Sequence, residues 1–170
     1  MFAAFDVHYP EEGGAQVAAV VFAHLYDSEP VSVYRKRIES VAEYVPGEFY
    51  KRELPCILSL LEEIVEPIDT IIIDGYVSLG DRPGLGEHLA ESMDRNKNVV
   101  GVAKTFFDGS SLKEAKRGLS KNPLFVTSFG LSSDVAKEMI ESMHGPHRMP
   151  TLLKEADRLS KEKCTTNRVT

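Results

Sequence analysis

A chain of 170 residues, 42% hydrophobic and 27% charged, has an ordinary globular composition and is long enough to bury one core, so one domain over 1–170 is expected. Its formal net charge of −6 counts against broad, nonspecific nucleic-acid binding, which needs excess Lys and Arg. It leaves room for local positive charge, or for a carboxylate site that a divalent cation neutralises. The longest apolar run, around Ala15–Leu25, is too short to cross a bilayer, and the first residues carry no basic leader. Two cysteines, Cys56 and Cys164, make neither a disulfide framework nor a metal cluster, and a cytoplasmic location is expected.

In chain order, Met1–Tyr9 reads as a short buried strand, Phe2-Ala3-Ala4-Phe5 followed by Asp6 and Val7. Gly13-Gly14 marks a turn, and the Val- and Ala-rich segment Gln16–Leu25 fits a strand buried on both faces. Asp27-Ser28-Glu29-Pro30 is turn chemistry, and Val31–Ile38 alternates as a third strand, so the opening is an antiparallel meander. Arg35-Lys36-Arg37 on that strand would meet a phosphate backbone with one face, or protect a sheet edge with charge. A helix is expected after Pro46-Gly47, with Pro55 in its first turn, Glu53 at its entrance and Leu54, Leu58, Leu61 and Val65 as the buried stripe. Glu62, Glu63 and Glu66 would form a solvated face, with Pro67 stopping the helix.

Ile68–Ile73 then reads as a strand ending in Asp74-Gly75, Leu79–Gly86 as a loop, Glu87–Met93 as a short helix and Val99–Lys104 as a buried strand. Leu112–Gly118 reads as a charged helical piece and Pro123–Ser128 as one more strand. Ser132 or Ser133 would cap a helix running to Met143, and Leu152–Glu162 would be the last helix. An antiparallel meander followed by parallel βαβ units gives an α/β mixed sheet flanked by helices, the ribonuclease H-like arrangement; other α/β sandwiches share the pattern.

Three acids occupy costly places. Asp6 lies among apolar residues of the first strand, Asp74 ends the fourth after three isoleucines, and Glu53 sits at a helix entrance. A divalent cation is one compensation: if the first and fourth strands are neighbours, Asp6 and Asp74 would share it, and it would polarise a phosphodiester. A turn at Asp74-Gly75 and a favourable helix dipole at Glu53 are the plain structural alternatives. His8 would share the strand face of Asp6, whereas His144 and His147 flank a Gly-Pro turn as surface groups.

The chain resembles the endonuclease V family, nucleases acting on deoxyinosine in DNA or inosine in RNA. Asp6-Val7 opens the match; Tyr44-Val45-Pro46-Gly47 is similar to the family's aromatic wedge, and Tyr50-Lys51-Arg52-Glu53-Leu54-Pro55 to its Phe-Arg-Glu-x-Pro. Ile72-Ile73-Asp74-Gly75, Gly101-Val102-Ala103-Lys104 and the stretch from Arg148-Met149-Pro150 to Ala156-Asp157-Arg158-Leu159-Ser160 follow in the family's order. The resemblance implies hydrolysis of a phosphodiester 3′ to inosine. It implies a Mg²⁺ ion, for which Mn²⁺ would substitute, held by Asp6, Asp74 and Glu53, with Asp157 completing the acidic cluster and Lys104 steadying transition-state charge. Tyr44, with Pro46 and Gly47, would fill the space of an extruded base, Arg52 would contact substrate, and Gly47 and Gly75 would line a base pocket. The implied partner is DNA or RNA, single-stranded or locally distorted.

The family's His-Gly and His-Pro-Arg-Arg are replaced here by Tyr76-Val77 and Gly80-Asp81-Arg82-Pro83-Gly84, and its Ser-x-Gly-His by Ser128-Phe129-Gly130-Leu131. The metal cluster is kept while the substrate surface is altered. A non-cleaving nucleic-acid binder and a metal-dependent hydrolase of a small phosphorylated compound are the competing readings.

Overall fold

The computed structural model describes residues 1–108 and 111–163; Cys164 and the polar tail expected after Lys163 lie outside them. The meander forms as expected: β1 (Phe2–His8) and β3 (Ser32–Ile38) both pair antiparallel with β2 (Ala15–Phe22). All eight residues of β2 are buried, which an unbroken Val/Ala run with only Gln16 polar permits. α1 (Tyr50–Leu61) leads to β4 (Thr70–Asp74), whose three isoleucines favour extended backbone. A two-residue hairpin, β5 (Ser78–Leu79) with β6 (Arg82–Pro83), precedes α2 (Leu85–Ser92) and β7 (Asn98–Ala103).

β4 pairs parallel with both β1 and β7. After β7 the pattern departs from the expectation. Leu112–Gly118 contains a strand, β8 (Lys113–Ala115), in place of a helical piece, and β9 (Leu124–Phe129) runs antiparallel to both β8 and β7. Three residues of mixed polarity carry little local preference, and pairing with β9 decides their state. The seven-stranded order is β3-β2-β1-β4-β7-β9-β8.

α1 and α2 cover one face of this sheet, packing on Ala3, Phe5, Val17, Ile71, Ile73 and Val99. α3 (Ser133–Ser142) and α4 (Thr151–Lys161) cover the other, over Ala4, Val20, Ile72, Val100 and Val102. Ser132 caps α3, its hydroxyl accepting from the Val135 amide at 3.2 Å. The basic run on edge strand β3 is used structurally: Lys36 pairs with Glu63 at 2.6 Å, Arg35 with Glu162, and Arg37 donates to Gly13 O at 2.7 Å. Among the described residues no helix is long and apolar enough to cross a membrane.

α1 is rotated from the expected stripe. Its buried face is Glu53, Cys56, Ile57 and Leu60; Leu54, Leu58 and Leu61 are partly buried, and Val65 lies beyond the helix with 86% of its surface exposed. Pro55 sits in the second turn, not the first, on an exposed side of the helix. Glu66 is tied down, not free in solvent: its carboxylate accepts from Ser32 and, at 2.8 Å, from Tyr34.

Arg117, buried in the turn after β8, closes the end of α3. Its guanidinium donates to the carbonyls of Ile140, Glu141, Met143, His144 and Gly145 at 2.8–3.3 Å. Cationic donors suit a helix C-terminus, where carbonyls lack intrahelical partners. Truncating Arg117 to Ala strands five acceptors beside an empty volume and is expected to cost about 3 kcal/mol, read as a lowered urea midpoint.

Candidate active site

Strand alternation puts the key residues on one face. Ala4, Ile72 and Val102 all face α3 and α4, so two residues further along, Asp6, Asp74 and Lys104 point the same way from three adjacent strands. Phe5 pairs with Ile73, which sets Asp6 beside Asp74 at the carboxyl ends of parallel strands. Lys104 Nζ stands 3.8 Å from Asp74 Oδ2. α4 crosses this end of the sheet and contributes Asp157, and Ser160, whose hydroxyl donates to Asp6.

Asp6, Asp74, Lys104 and Asp157 all line one cavity of about 320 Å³. Its floor is apolar, with Ala4, Ile72, Val102, Leu153 and Ala156, and His147, Arg148 and Lys154 complete its wall. His147 is thus a surface group, as expected, that borders the acids; His8 does not line the cavity.

Burial raises the Asp6 carboxyl above its ordinary pKa; the bond from Ser160 opposes this, and repulsion from Asp157 adds to it. Asp74 is raised for the same first reason, against the pull of Lys104. Its side chain keeps 45% of its exposure, yet the walls of the cleft crowd the carboxylate. Glu53 approaches from the opposite face of the sheet, on the first turn of α1, and is 6% exposed. Burial, then repulsion from Asp6 and Asp74, pushes its pKa up to about 8. Glu53 therefore belongs to the same electrostatic cluster, although it does not line the cavity.

The remaining expected contacts stand apart. Val45-Pro46-Gly47-Glu48 is a tight turn, Glu48 N donating to Val45 O at 3.0 Å with Gly47 at φ +82°. It presents Tyr44, 59% exposed, edge-on to Phe49 at 6.3 Å. Arg52 lies over the Tyr9 ring at 4.2 Å, and its buried Nε has no partner. Gly75, at φ +136°, follows Asp74; neither it nor Gly47, Pro46, Tyr44 or Arg52 lines the cavity. Val77 is buried in the core on the α2 side, and its amide donates to Thr127 at 2.9 Å. Gly101 explains part of the Gly-Val-Ala-Lys pattern: a Cβ there would sit 2.6 Å from Gly75 O and 2.8 Å from Thr127 Oγ1.

Two contributors were not singled out from sequence. Ser160 lies three residues after Asp157, one helical turn on, which is the spacing that reveals it. Arg148 carried a motif but no role; it donates to Lys104 O and Pro123 O, both at 2.6 Å, and so fixes the backbone that presents Lys104.

Asp6 and Asp74 supply hard oxygens on one face, which fits an ion that fills the rest of its shell with water and substrate phosphate. Among the described residues, no three His, Cys, Asp or Glu side chains stand close enough to hold an ion by themselves. Glu53 is accordingly placed as an electrostatic neighbour of the pair, short of a ready third ligand.

A seven-stranded mixed sheet of this order, with acids toward the carboxyl ends of two of its three parallel strands, is a ribonuclease H-like arrangement. The solved endonuclease V of Streptomyces avermitilis superimposes with a TM-score of 0.76 at 26% identity, covering 94% of this chain and 79% of that one. The Ciona intestinalis endonuclease V, solved with a 24-mer DNA containing an inosine, gives 0.79 at 19% identity, over 94% and 83%. The endonuclease V family model matches residues 1–138, and the chain belongs to the endonuclease V family. Endonuclease V of Dehalococcoides mccartyi is 31% identical over 129 residues, 75% of this chain and 57% of that protein. The chain spans about half the length of the curated relatives it matches. α4, with Asp157 and Ser160, lies beyond the family match.

Proposed function

We propose that this protein is a Mg²⁺-dependent endonuclease that cuts a phosphodiester 3′ to deoxyinosine or inosine, in DNA repair or RNA processing. The observation that carries it is the placement of Asp6 and Asp74 on one face of adjacent parallel strands, beside Lys104, in a single cavity. Family membership supports nuclease chemistry, and the inosine-containing DNA bound to the Ciona relative supports the substrate.

In this reading Asp6 and Asp74 hold the ion, and Mn²⁺ substitutes for Mg²⁺. When bound, such an ion polarises the phosphodiester and lowers the pKa of a coordinated water. Lys104, fixed through Arg148, sets a positive charge where negative charge builds on the phosphate oxygens. Ser160 holds Asp6 in its orientation by donating to one carboxylate oxygen, leaving the other free. Glu53, its pKa pushed up to about 8, sets the electrostatics of the two aspartates from the opposite face of the sheet. Asp157 adds negative charge from α4.

In this reading Tyr44, exposed on its turn, stacks where a base has been extruded. Tyr44→Ala is expected to weaken binding of an inosine strand about tenfold while the fold holds, since stacking contributes about 1–3 kcal/mol per base. Fluorescence anisotropy with a labelled oligonucleotide measures it.

A second reading, binding without cutting, is favoured by the formal net charge of −6 and by the finding that, among the described residues, no three acids stand close enough to hold an ion. The deciding assay offers end-labelled single-stranded DNA and RNA, with and without one inosine, in Mg²⁺ and in Mn²⁺. The nuclease reading expects one cut on the 3′ side of inosine, leaving 3′-hydroxyl and 5′-phosphate ends. Retained binding with no product in either metal would replace it with the second.

A further inference from the structure

The chain holds 26 Asp and Glu against 20 Lys and Arg, yet residues 115–133 and 142–154 carry no acid at all. These two stretches hold Lys116, Arg117, Lys121, Arg148 and Lys154, with His144 and His147. The fold joins them. Arg117 reaches from the first to the carbonyls of His144 and Gly145 in the second, at 3.3 and 2.9 Å. Gly118, at φ +56°, lies so close against the Pro146 carbonyl that a Cβ has no room. Arg148 returns from the second stretch to Pro123 O, and the same guanidinium nitrogen donates to Lys104 O, both at 2.6 Å. The loop 116–123 is therefore anchored to the backbone that presents Lys104 beside Asp74.

Both arginines are committed to carbonyls, which leaves the lysines. Lys116, Lys121 and Lys154 are exposed, and among the described residues none has a carboxylate within ion-pair distance. Neighbouring acids are taken by other cations: Asp134 by Lys113 and Glu141 by Lys137, both at 2.9 Å, and Glu155 by Arg158 at 2.6 Å. Glu114 leaves β8 on the opposite side of the sheet from Ala115. His147 and Lys154 line the cavity of Asp6 and Asp74, so the positive surface starts at the cleft wall and extends outward over the loop. On a chain of net charge −6, unpaired lysines gathered at the mouth of one cleft mark the path of a polyanion, because each phosphate they neutralise releases a condensed counterion.

We propose that the 116–123 loop, with Lys154, is a landing surface for the substrate strand beyond the reacting phosphate, and that Lys116 and Lys121 each neutralise a flanking phosphate of a single strand. This rests on the nucleic-acid reading given above and deepens it. An anionic bilayer would instead use Leu119, fully exposed on the same loop. One leucine is a small anchor, and the tie from Arg148 to Lys104 O directs the surface toward the cleft.

The test measures, by anisotropy, the affinity of a labelled single strand carrying one inosine over a series of KCl concentrations, in Mg²⁺ and in chelator. It compares wild type, Lys121→Gln, the double variant Lys116→Gln with Lys121→Gln, and Lys97→Gln. Lys97 precedes β7, at the opposite end of the sheet, and its replacement makes the same change in net charge as Lys121→Gln. Single-strand binding falls with salt with a log–log slope of about −0.7 per phosphate neutralised. The expected slope is shallower by about 0.7 for Lys121→Gln and by about 1.4 for the double variant, an affinity loss of about fivefold per lysine at roughly 0.1 M salt, with Lys97→Gln unchanged. A wild-type slope in both lysine variants, or an equal loss in Lys97→Gln, would overturn the landing surface and leave the nuclease reading standing. Loss of binding to anionic lipid vesicles in the double variant, with strand binding intact, would assign the surface to a bilayer instead. A wild type that binds no strand in either condition would overturn the nucleic-acid reading and this inference together.

Discussion

Asp74→Asn is expected to lower cleavage of an inosine-containing strand about a thousandfold or more, several kcal/mol of transition-state stabilisation, with the fold preserved. The substitution keeps the shape of the side chain and removes its charge. Asp74 ends β4, pairs with Lys104 at 3.8 Å and keeps 45% of its side chain exposed, so no packing depends on its carboxylate. Its expected work is to share an ion with Asp6 across the parallel pair. Loss of charge also frees Lys104, so binding of the strand should fall far less than turnover. A single-turnover assay beside a thermal melt reads both quantities. A variant that still cuts within tenfold of wild type would remove Asp74 from the chemistry.

The second large effect belongs to Glu53. An unfolded glutamate ionises near 4.5, whereas the folded group does so at about 8. Below the lower value both states are protonated and Glu53 contributes no pH dependence. Between the two values the folded protein holds a proton that the unfolded chain has released, so stability falls as pH rises through this window and levels off above it. Glu53→Gln carries no such penalty. The metal-free variant should match wild type near pH 4.5 and exceed it at pH 8 by on the order of 4 kcal/mol. Loading a divalent ion should shrink the gap, because neutralising Asp6 and Asp74 removes the repulsion that adds to burial. Urea unfolding at the two pH values, with chelator and with Mg²⁺, measures it; a gap that does not grow with pH would mean that Glu53 is ionised in the fold. The same substitution should impair cleavage, making Glu53 a residue where stability and activity oppose each other.

The central pair was legible because strand chemistry is local. An acid after Phe2-Ala3-Ala4-Phe5 and another after three isoleucines are both anomalies of alternation, and that parity fixes the face on which each emerges. The meander was equally legible from Val/Ala-rich runs broken by Gly and Pro. α1 was harder. Leucines at 54, 58 and 61 suggest one stripe, yet the sheet accepts Glu53, Cys56, Ile57 and Leu60, one residue earlier around the helix. That quarter-turn is what takes Glu53 from the helix entrance into the interior. The segment at Lys113–Ala115 was misread because an edge strand of three residues has no periodicity to display. Ser160 depended on docking α4 across β1, a long-range contact that no spacing within the first strands announces.

The most direct measurement is anomalous diffraction from a crystal soaked in Mn²⁺. The account predicts a peak within coordination distance, roughly 2.1 Å, of oxygens from both Asp6 and Asp74. Both carboxylates ordered with no peak between them, or a peak held elsewhere on the molecule, would contradict it.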